Sequence, residues 1–174
     1  GVINTSDRTD IGSPIAASTM GFNMQFGYKN FDFVTYLFAS IGNDMVRNYE
    51  RSLADVNRLD YVLDRWTGEG TSNSAPRVTT SATSNNVFSD YFVEDASFLR
   101  IQNIQLGYSI NPNHLTKAGI TKFRVYMGVN NLYTFTEYKG YDPGASSGAP
   151  IGAGIDYGFF FFFRTYLMGL NINF

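Results

Sequence analysis

The chain ends in Arg164-Thr-Tyr-Leu-Met-Gly-Leu-Asn-Ile-Asn-Phe174, eleven residues that alternate without a break. A β-strand would place alternate side chains on opposite faces, with Tyr166, Met168, Leu170, Ile172 and Phe174 on one face and Thr165, Leu167, Gly169, Asn171 and Asn173 on the other. A soluble sheet with one packed and one wet face also alternates. An apolar face that continues to an aromatic terminal residue is more typical of a strand with lipid outside and a polar lumen inside.

Alternation also occurs upstream. It predicts five antiparallel transmembrane strands at about 18–28, 31–41, 98–110, 122–135 and 164–174, with the outer face of the second strand left open. A bulge near Asn103 would explain a change of parity in the third strand. The residues predicted to face lipid are Met20, Phe22, Met24, Phe26, Leu106, Tyr108, Val125, Met127, Val129, Tyr166, Met168, Leu170 and Ile172.

The connections between these strands alternate between short and long. Outer-membrane barrels have short periplasmic turns and longer extracellular loops. We therefore expect periplasmic turns at 29–30 and 111–121, extracellular loops at 42–97 and 136–163, and a periplasmic carboxy-terminus. Five strands cannot close a barrel, and an open edge is not tolerated in lipid. The sheet must therefore pair with further strands of the same polypeptide or of a partner chain.

Helical spacing of apolar residues over 44–65 predicts an amphipathic helix in the first long loop. The pattern rests on Val46, Tyr49, Leu53, Val56 and Leu63, with Asn43 or Asp44 as the N-cap.

Composition narrows the function classes. The 174 residues include 16 Phe, 12 Tyr and only one Trp, and charged residues make up 16%, against roughly 25% in typical soluble domains. The net charge of −2 gives no reason to expect nucleic acid, and the absence of Cys excludes disulfides and thiolate metal sites. The single histidine, His114, is expected to be a solvated turn residue rather than a general base. No metal-ligand spacing, phosphate-binding loop or nucleophile motif is present, so we expect no enzyme activity, cofactor or metal.

A series of short motifs, in order along nearly the whole chain, resembles the carboxy-terminal barrel region of SusC/RagA-family TonB-dependent transporters of Bacteroidetes outer membranes. The matching stretches are Asp10-Ile-Gly-Ser-Pro14, Gly21-Phe-Asn23, Lys29-Asn-Phe-Asp32, Gly42-Asn-Asp44, Arg65-Trp-Thr67, Pro76-Arg77, Glu94-Asp95, Phe98-Leu-Arg100, Leu106-Gly-Tyr108, Asn130-Asn-Leu132, Gly140-Tyr-Asp-Pro143, Gly154-Ile-Asp-Tyr-Gly158, Arg164-Thr165, Gly169-Leu-Asn171 and Phe174.

This resemblance implies an all-β fold, the last five strands of a plugged barrel of about 22 strands. Its implied function is import of glycans or peptides. The implied partners are the remaining strands and plug, a SusD-like surface lipoprotein over the extracellular loops, TonB acting indirectly through the plug, and outer-membrane lipid. The plug and the amino-terminal domain have no counterpart in these residues. Two alternatives stay open: a SusC-like barrel that acts as a scaffold without transport, and a small soluble β-sandwich that binds a ligand.

Several aromatic residues are candidates for specific roles. Phe174 resembles the terminal aromatic signal by which outer-membrane barrels are recognised for assembly, and it would also serve as an interfacial anchor. The run Phe159–Phe163, where the family usually has Pro and polar residues, is either an aromatic girdle or a partner-binding patch. The candidate loop contacts to ligand or lid are Trp66, Tyr138, Tyr141 and Tyr157.

Overall fold

A computed structural model describes residues 4–49, 59–79, 87–111, 119–145 and 150–174. No helix in these ranges is long and apolar enough to cross a membrane. The strands are β1 (Ser18–Tyr28), β2 (Phe31–Ile41), β3 (Asp44–Arg47), β4 (Val93–Asp95), β5 (Phe98–Ile110), β6 (Lys122–Thr136), β7 (Ile155–Asp156) and β8 (Thr165–Asn173). Short 3-10 helices span Thr5–Asp7, Asp60–Asp64, Asp90–Phe92 and Pro150–Gly152.

The five long strands form one antiparallel sheet in the order β1-β2-β5-β6-β8. This confirms the predicted fold class, and each long strand begins and ends within one residue of its predicted bounds. The hairpin between β1 and β2 has two loop residues, and Lys29 takes the left-handed conformation with φ of 55°. Within the described ranges β1 and β8 each pair with one neighbour only, so both edges of the sheet are open.

The predicted bulge in β5 is confirmed at Gln102. Asn103 and Ile101 pair with Tyr36 and Leu37, which are adjacent in β2, so Gln102 is an extra residue on that side. Such an insertion moves the following side chains to the opposite face. Apolar residues of β5 occupy odd positions before the bulge and even positions after it. Because of the extra residue, Ile101 still lies on the same face as Ile104 and Leu106.

Strand β6 accommodates the same irregularity with a residue of its own. Asn103 and Ile101 pair with Asn130 and Tyr133, so two residues of β6 lie opposite Gln102. One of them, Asn131, has φ of 51°. Asn adopts this left-handed conformation more readily than most residues, which explains why a polar residue interrupts the apolar pattern of β6.

Register places all the residues predicted to face lipid on one side of the sheet, called here the apolar face. Three of its rows across the five strands are Met24-Thr35-Ile104-Val129-Tyr166, Phe26-Phe33-Leu106-Met127-Met168 and Tyr28-Phe31-Tyr108-Val125-Leu170. The same register assigns the second strand, whose Phe31, Phe33 and Leu37 pair with Tyr28, Phe26 and Phe22 and belong to the apolar face. The opposite side, called the polar face, carries Asp32, Tyr36, Arg100, Asn103, Arg124, Tyr126 and Asn130.

The predicted helix over 44–65 is wrong where the structure describes it. Residues 44–47 form strand β3 and residues 60–64 form a single 3-10 helix, while 50–58 lie outside the described residues. Val46 pairs with Val93 on one side and Ile155 on the other. Hydrogen bonds to two neighbouring strands therefore decide the conformation of this segment. The helical spacing of its apolar residues reflects only a weak local preference.

The small sheet β4-β3-β7 joins the two long connections at one end of the main sheet. Its strands pair antiparallel on one side and parallel on the other. Met45, Ala96 and Tyr138 form a buried cluster beside it. Residues 93–95 and 155–156, which belong to different loops, are therefore held in one compact base.

Candidate functional site

Most large side chains of the apolar face are exposed in this chain. Met168 in the middle of β8 is 79% exposed, and Phe26 near the end of β1 is 60% exposed. Its one hydroxyl on β2, that of Thr35, is buried and donates to the Asn103 carbonyl at 2.9 Å. The Thr35 hydroxyl is thus bonded within the sheet and does not depend on water for a partner.

The polar face carries an ion pair that crosses three strands. Arg124 Nε donates to Asp32 Oδ1 at 2.8 Å and its Nη2 to Asp32 Oδ2 at 2.5 Å, a two-point contact between β6 and β2. The side chains meet over Gly107 of β5, where a Cβ would collide with Arg124 and lie 2.5 Å from Asp32 Oδ1. A side chain at this position would therefore have to displace the two charged groups from their present contact.

Aromatic rings cover two other glycines of the polar face. Tyr126 lies over its cross-strand partner Gly169, and Tyr36 lies over Gly21, whose added Cβ would be 3.0 Å from the Tyr36 hydroxyl. An amide bond from Asn103 Nδ2 to Asn130 Oδ1, at 2.7 Å, adds a further polar link between strands. These polar side chains therefore already have partners within the sheet.

Another ion pair, which is buried, joins the polar face to the second long loop. Arg100 Nη2 donates to Asp142 Oδ1 at 2.6 Å, and its Nε donates to Thr134 Oγ1 at 2.9 Å. The guanidinium carbon also lies 5.1 Å from the ring centre of Phe162. Asp142 Oδ2 accepts the backbone N–H of Phe162 at 3.3 Å. This contact fixes one member of the five-Phe run to the sheet.

A buried tyrosine holds the second long loop. Tyr138 is 6% exposed, and its hydroxyl donates at 2.7 Å to Asp156 Oδ2, which is fully buried. Asp156 Oδ1 also accepts the N–H groups of Gly158 at 2.8 Å and Phe159 at 3.2 Å. Burial raises the pKa of the Tyr138 hydroxyl far above its usual value, and the bond to Asp156 raises it further, so the hydroxyl stays protonated.

Arg47 anchors the first long loop in a similar manner. Its Nη1 donates to Glu94 Oε1 at 2.8 Å, and its guanidinium carbon lies 4.9 Å and 5.1 Å from the ring centres of Tyr61 and Tyr91. Glu94 Oε2 in turn accepts the backbone N–H of Lys139 at 3.2 Å. The carboxylate therefore connects the two long loops.

The four aromatic residues proposed from sequence as loop contacts differ in their surroundings. The proposal does not hold for Tyr138, because its side chain is buried and bonded within the loop base. Trp66 is 38%, Tyr141 59% and Tyr157 55% exposed. Tyr157 packs edge-on to Phe159 with ring centres 6.1 Å apart, so the exposed Tyr157 ring has an aromatic neighbour.

The run Phe159–Phe163 is mostly exposed, with Phe160 at 87% and Phe163 at 70%. Phe162 contacts the Arg100 guanidinium and is still 61% exposed. The Phe163 carbonyl accepts from Asn131 Nδ2 at 3.2 Å, which ties this segment to the bulge of β6. His114 lies outside the described residues.

Sequence reasoning missed the three arginine–carboxylate pairs. Arg100 was visible as a charged residue in an apolar run, and Asp142 lies in the motif Gly140-Tyr-Asp-Pro143. Nothing in the spacing joined them, since they are 42 positions apart. The Arg124–Asp32 pair is 92 positions apart and requires the register of three strands.

Known proteins resemble this chain over its full length. It is 34% identical to TonB-dependent receptor P3 of Formosa agariphila (strain DSM 15362 / KCTC 12365 / LMG 23005 / KMM 3901 / M-2Alg 35-1), over 100% of the chain and 18% of that protein. It is 32% identical to TonB-dependent receptor SusC of Bacteroides thetaiotaomicron, over 100% of the chain and 17% of that protein. The chain thus spans less than a fifth of the length of these curated relatives. No family profile matches it.

Solved structures show the same fold. The RagAB peptide importer in its open-open state superposes with a TM-score of 0.70 and 26% identity, over 90% of the chain and 17% of that chain. Its closed-closed state superposes with a TM-score of 0.73 and 24% identity, over 92% of the present chain and 18% of the importer chain. At this level of identity the likeness concerns the fold alone. Sequence relatives over every residue and this agreement in fold together show that the chain is a segment of a SusC/RagA-type TonB-dependent transporter.

Proposed function

We propose that the five long strands form part of the wall of an outer-membrane barrel that imports glycans or peptides. The observation that carries this proposal is the continuous apolar face, which register extends across all five strands. The eleven residues of β1 extend about 37 Å, and a tilt near 45° reduces this to about 26 Å, close to the roughly 25 Å apolar band of such barrels.

The open edges support a barrel larger than this segment. β1 and β8 each present an unpaired row of backbone N–H and C=O groups in the described sheet, and lipid provides no water to satisfy them. Further strands at both edges complete the wall, and we place this segment as the last five of about 22 strands. A soluble sandwich is disfavoured, because no second sheet covers the apolar face in the described residues.

We also propose an orientation for the segment in the membrane. The compact base of β3, β4 and β7 belongs to the extracellular end, and the Lys29-Asn30 turn to the periplasmic end, together with the turn at 111–121 and Phe174. The lengths of the connections support this direction. The chain has no Cys, so single cysteines introduced at Trp66 or Lys29 report orientation without a native cysteine in this segment. A membrane-impermeant maleimide should label the first position and spare the second in intact cells.

The proposed partners are a plug inside the barrel, TonB acting on that plug, and a SusD-like lipoprotein over the extracellular loops. Support comes from the relatives named TonB-dependent receptor and from the RagAB importer. The exposed Trp66, Tyr141 and Tyr157 are the residues we propose to contact substrate or lid. On the polar face, Arg124 and Asp32 bind each other, so we do not propose this ion pair as a substrate-binding site.

Uptake by cells tests the function. A strain without the full-length transporter should lose growth on its peptide or oligosaccharide source and regain it with the wild-type gene. Loss of TonB should give the same defect, because the barrel has no energy source of its own. Normal uptake in both strains would favour the alternative, a barrel that acts as a scaffold in the envelope.

A further inference from the structure

The last part of β6 has a free edge next to the run Phe159–Phe163. β6 pairs with β8 as far as Asn130 and Thr165, and it continues as a strand to Thr136. Among the described residues, none supplies a backbone hydrogen bond to 131–136 on the β8 side. The ladder therefore ends in a split, with β6 on one side and the residues that lead into β8 on the other.

The run has the composition of a strand, although it has no regular secondary structure in the present arrangement. Five consecutive Phe favour an extended backbone. No Pro interrupts the run, so each of its residues keeps a backbone N–H that a neighbouring strand can accept. The run directly precedes β8, and a continuation of β8 through it therefore needs no turn of the chain.

Two backbone groups of the run are bonded to side chains instead of to a strand. The Phe162 N–H donates to Asp142 Oδ2 at 3.3 Å, and the Phe163 carbonyl accepts from Asn131 Nδ2 at 3.2 Å. Both distances are at or beyond the long end of the usual range for N–H···O bonds. The run is thus held beside β6 by two weak polar contacts.

Exposed aromatic rings stand on both sides of the split. Tyr133 and Phe135 of β6 meet edge-on with ring centres 4.7 Å apart, and Phe161 and Phe163 of the run do so at 5.7 Å. These four residues are between 49% and 70% exposed. No ring contact joins the two pairs in the part of the chain that the structure describes. Because cross-strand aromatic pairs stabilise a sheet, closing the split would bury rings that now face solvent.

The position of Phe162 indicates the register in which the split would close. Arg100 pairs with Thr134 across β5 and β6, and its Nε donates to Thr134 Oγ1 at 2.9 Å. The same guanidinium lies 5.1 Å from the ring centre of Phe162. Phe162 is therefore beside Thr134 on the polar face, and in an extended run its two neighbours would point to the apolar face.

We propose that the run Phe159–Phe163 is a latch that closes onto the free edge of β6 as a continuation of β8. Backbone bonds and ring contacts between strands then replace the two long bonds to side chains. In the importer proposed above, closure draws the neighbouring Tyr157 toward the wall of the barrel, whereas the latch itself rests only on the geometry of the sheet. The cross-strand pairs of the closed latch are Phe161–Phe135, Phe162–Thr134 and Phe163–Tyr133.

Disulfide trapping in the full-length transporter tests the latch. The variant Phe135→Cys, Phe161→Cys would be oxidised with copper phenanthroline, and the linked peptides would be quantified by mass spectrometry. Opposite residues of paired strands have Cβ atoms about 4.5–5.5 Å apart, near the roughly 3.5–4.5 Å of a disulfide, so we expect this pair to link. The matched control Phe135→Cys, Phe160→Cys moves one cysteine to the other face and should link roughly tenfold more slowly.

Asn131→Gly in the first cysteine variant should favour the closed latch. Glycine tolerates the φ of 51° at this position, but it lacks the side-chain N–H that now bonds the Phe163 carbonyl. Loss of one neutral hydrogen bond from the open arrangement should raise the rate of linking about fivefold.

Other outcomes overturn the proposal. No linkage, while a maleimide labels both cysteines, would show that the run stays off β6. Equal linkage in the control variant would indicate random collisions rather than strand pairing. A cysteine at position 161 that neither links nor reacts with maleimide would show that another protein or segment covers the run. An unchanged rate in the Asn131→Gly variant would refute Asn131 as part of what holds the latch open. None of these readouts depends on transport, so failure of the uptake test leaves them unaffected.

Discussion

Tyr138→Phe removes a single hydroxyl from the base of the second long loop. In the structure this hydroxyl donates at 2.7 Å to Asp156, and the two residues are 6% and 0% exposed. A hydrogen bond to a charged group contributes about 1.5–3 kcal/mol. Asp156 keeps the N–H groups of Gly158 and Phe159, so its charge is not left without donors. We therefore expect Tyr138→Phe to lower the free energy of local unfolding of this loop by about 1.5 kcal/mol, the lower end of that range.

Amide hydrogen exchange of the full-length transporter measures this loss locally. Since about 1.4 kcal/mol corresponds to a factor of ten, protection of the peptide that contains Gly158 and Phe159 should fall about tenfold. Tyr141→Phe is the matched control, because that residue is 59% exposed, and its protection should not change. The double variant Tyr138→Phe, Asp156→Asn should lose less than the sum of the two single changes. Protection within about twofold of wild type in Tyr138→Phe would refute the view that this bond fixes the loop.

Three further predictions concern the strands. Met168→Arg should destabilise the barrel by about 2–4 kcal/mol if it lies near the bilayer midplane, and Leu167→Arg on the polar face should cost less; equal tolerance in thermal unfolding would contradict the assignment of faces. Gly107→Ala should lower the melting temperature of the full-length barrel in the wild type, but not in an Arg124→Ala, Asp32→Ala background, because the added methyl group meets both the guanidinium and the carboxylate; identical shifts in both would show that the bridge is not what selects glycine. Deleting Phe174 should reduce the amount of folded barrel in the membrane more than the melting temperature of barrels already formed, as read from heat-modifiable bands, and an unchanged yield would count against an assembly signal.

The long strands were predictable because their information is local. Period-2 alternation in β1 and β8 requires only neighbouring residues, and the change of parity at Gln102 indicated the bulge before any partner strand was known. Strand β3 was not predictable in this way. Val46 belongs to a helical pattern by spacing, but its actual partners Val93 and Ile155 are 47 and 109 positions away.

The polar contacts were also beyond local reasoning. Tyr138 was a candidate loop contact because it is an aromatic residue that flanks the second long loop. Its burial depends on Asp156 and on the small sheet that brings the two loops together. A charged residue in an apolar strand, as at Arg100, indicates that a partner exists without saying which residue it is.

The Arg124–Asp32 bridge has a consequence for any solute that moves along the polar face. An unpaired guanidinium there would retain an anionic solute, and a lone carboxylate would retain a cationic one, each prolonging the solute's dwell time. Because the two charges satisfy each other over Gly107, neither offers a full charge to a passing molecule. In the importer proposed above, this part of the wall would therefore give a carboxylate and an amine nearly the same passage time, and discrimination between charged solutes would have to come from other residues.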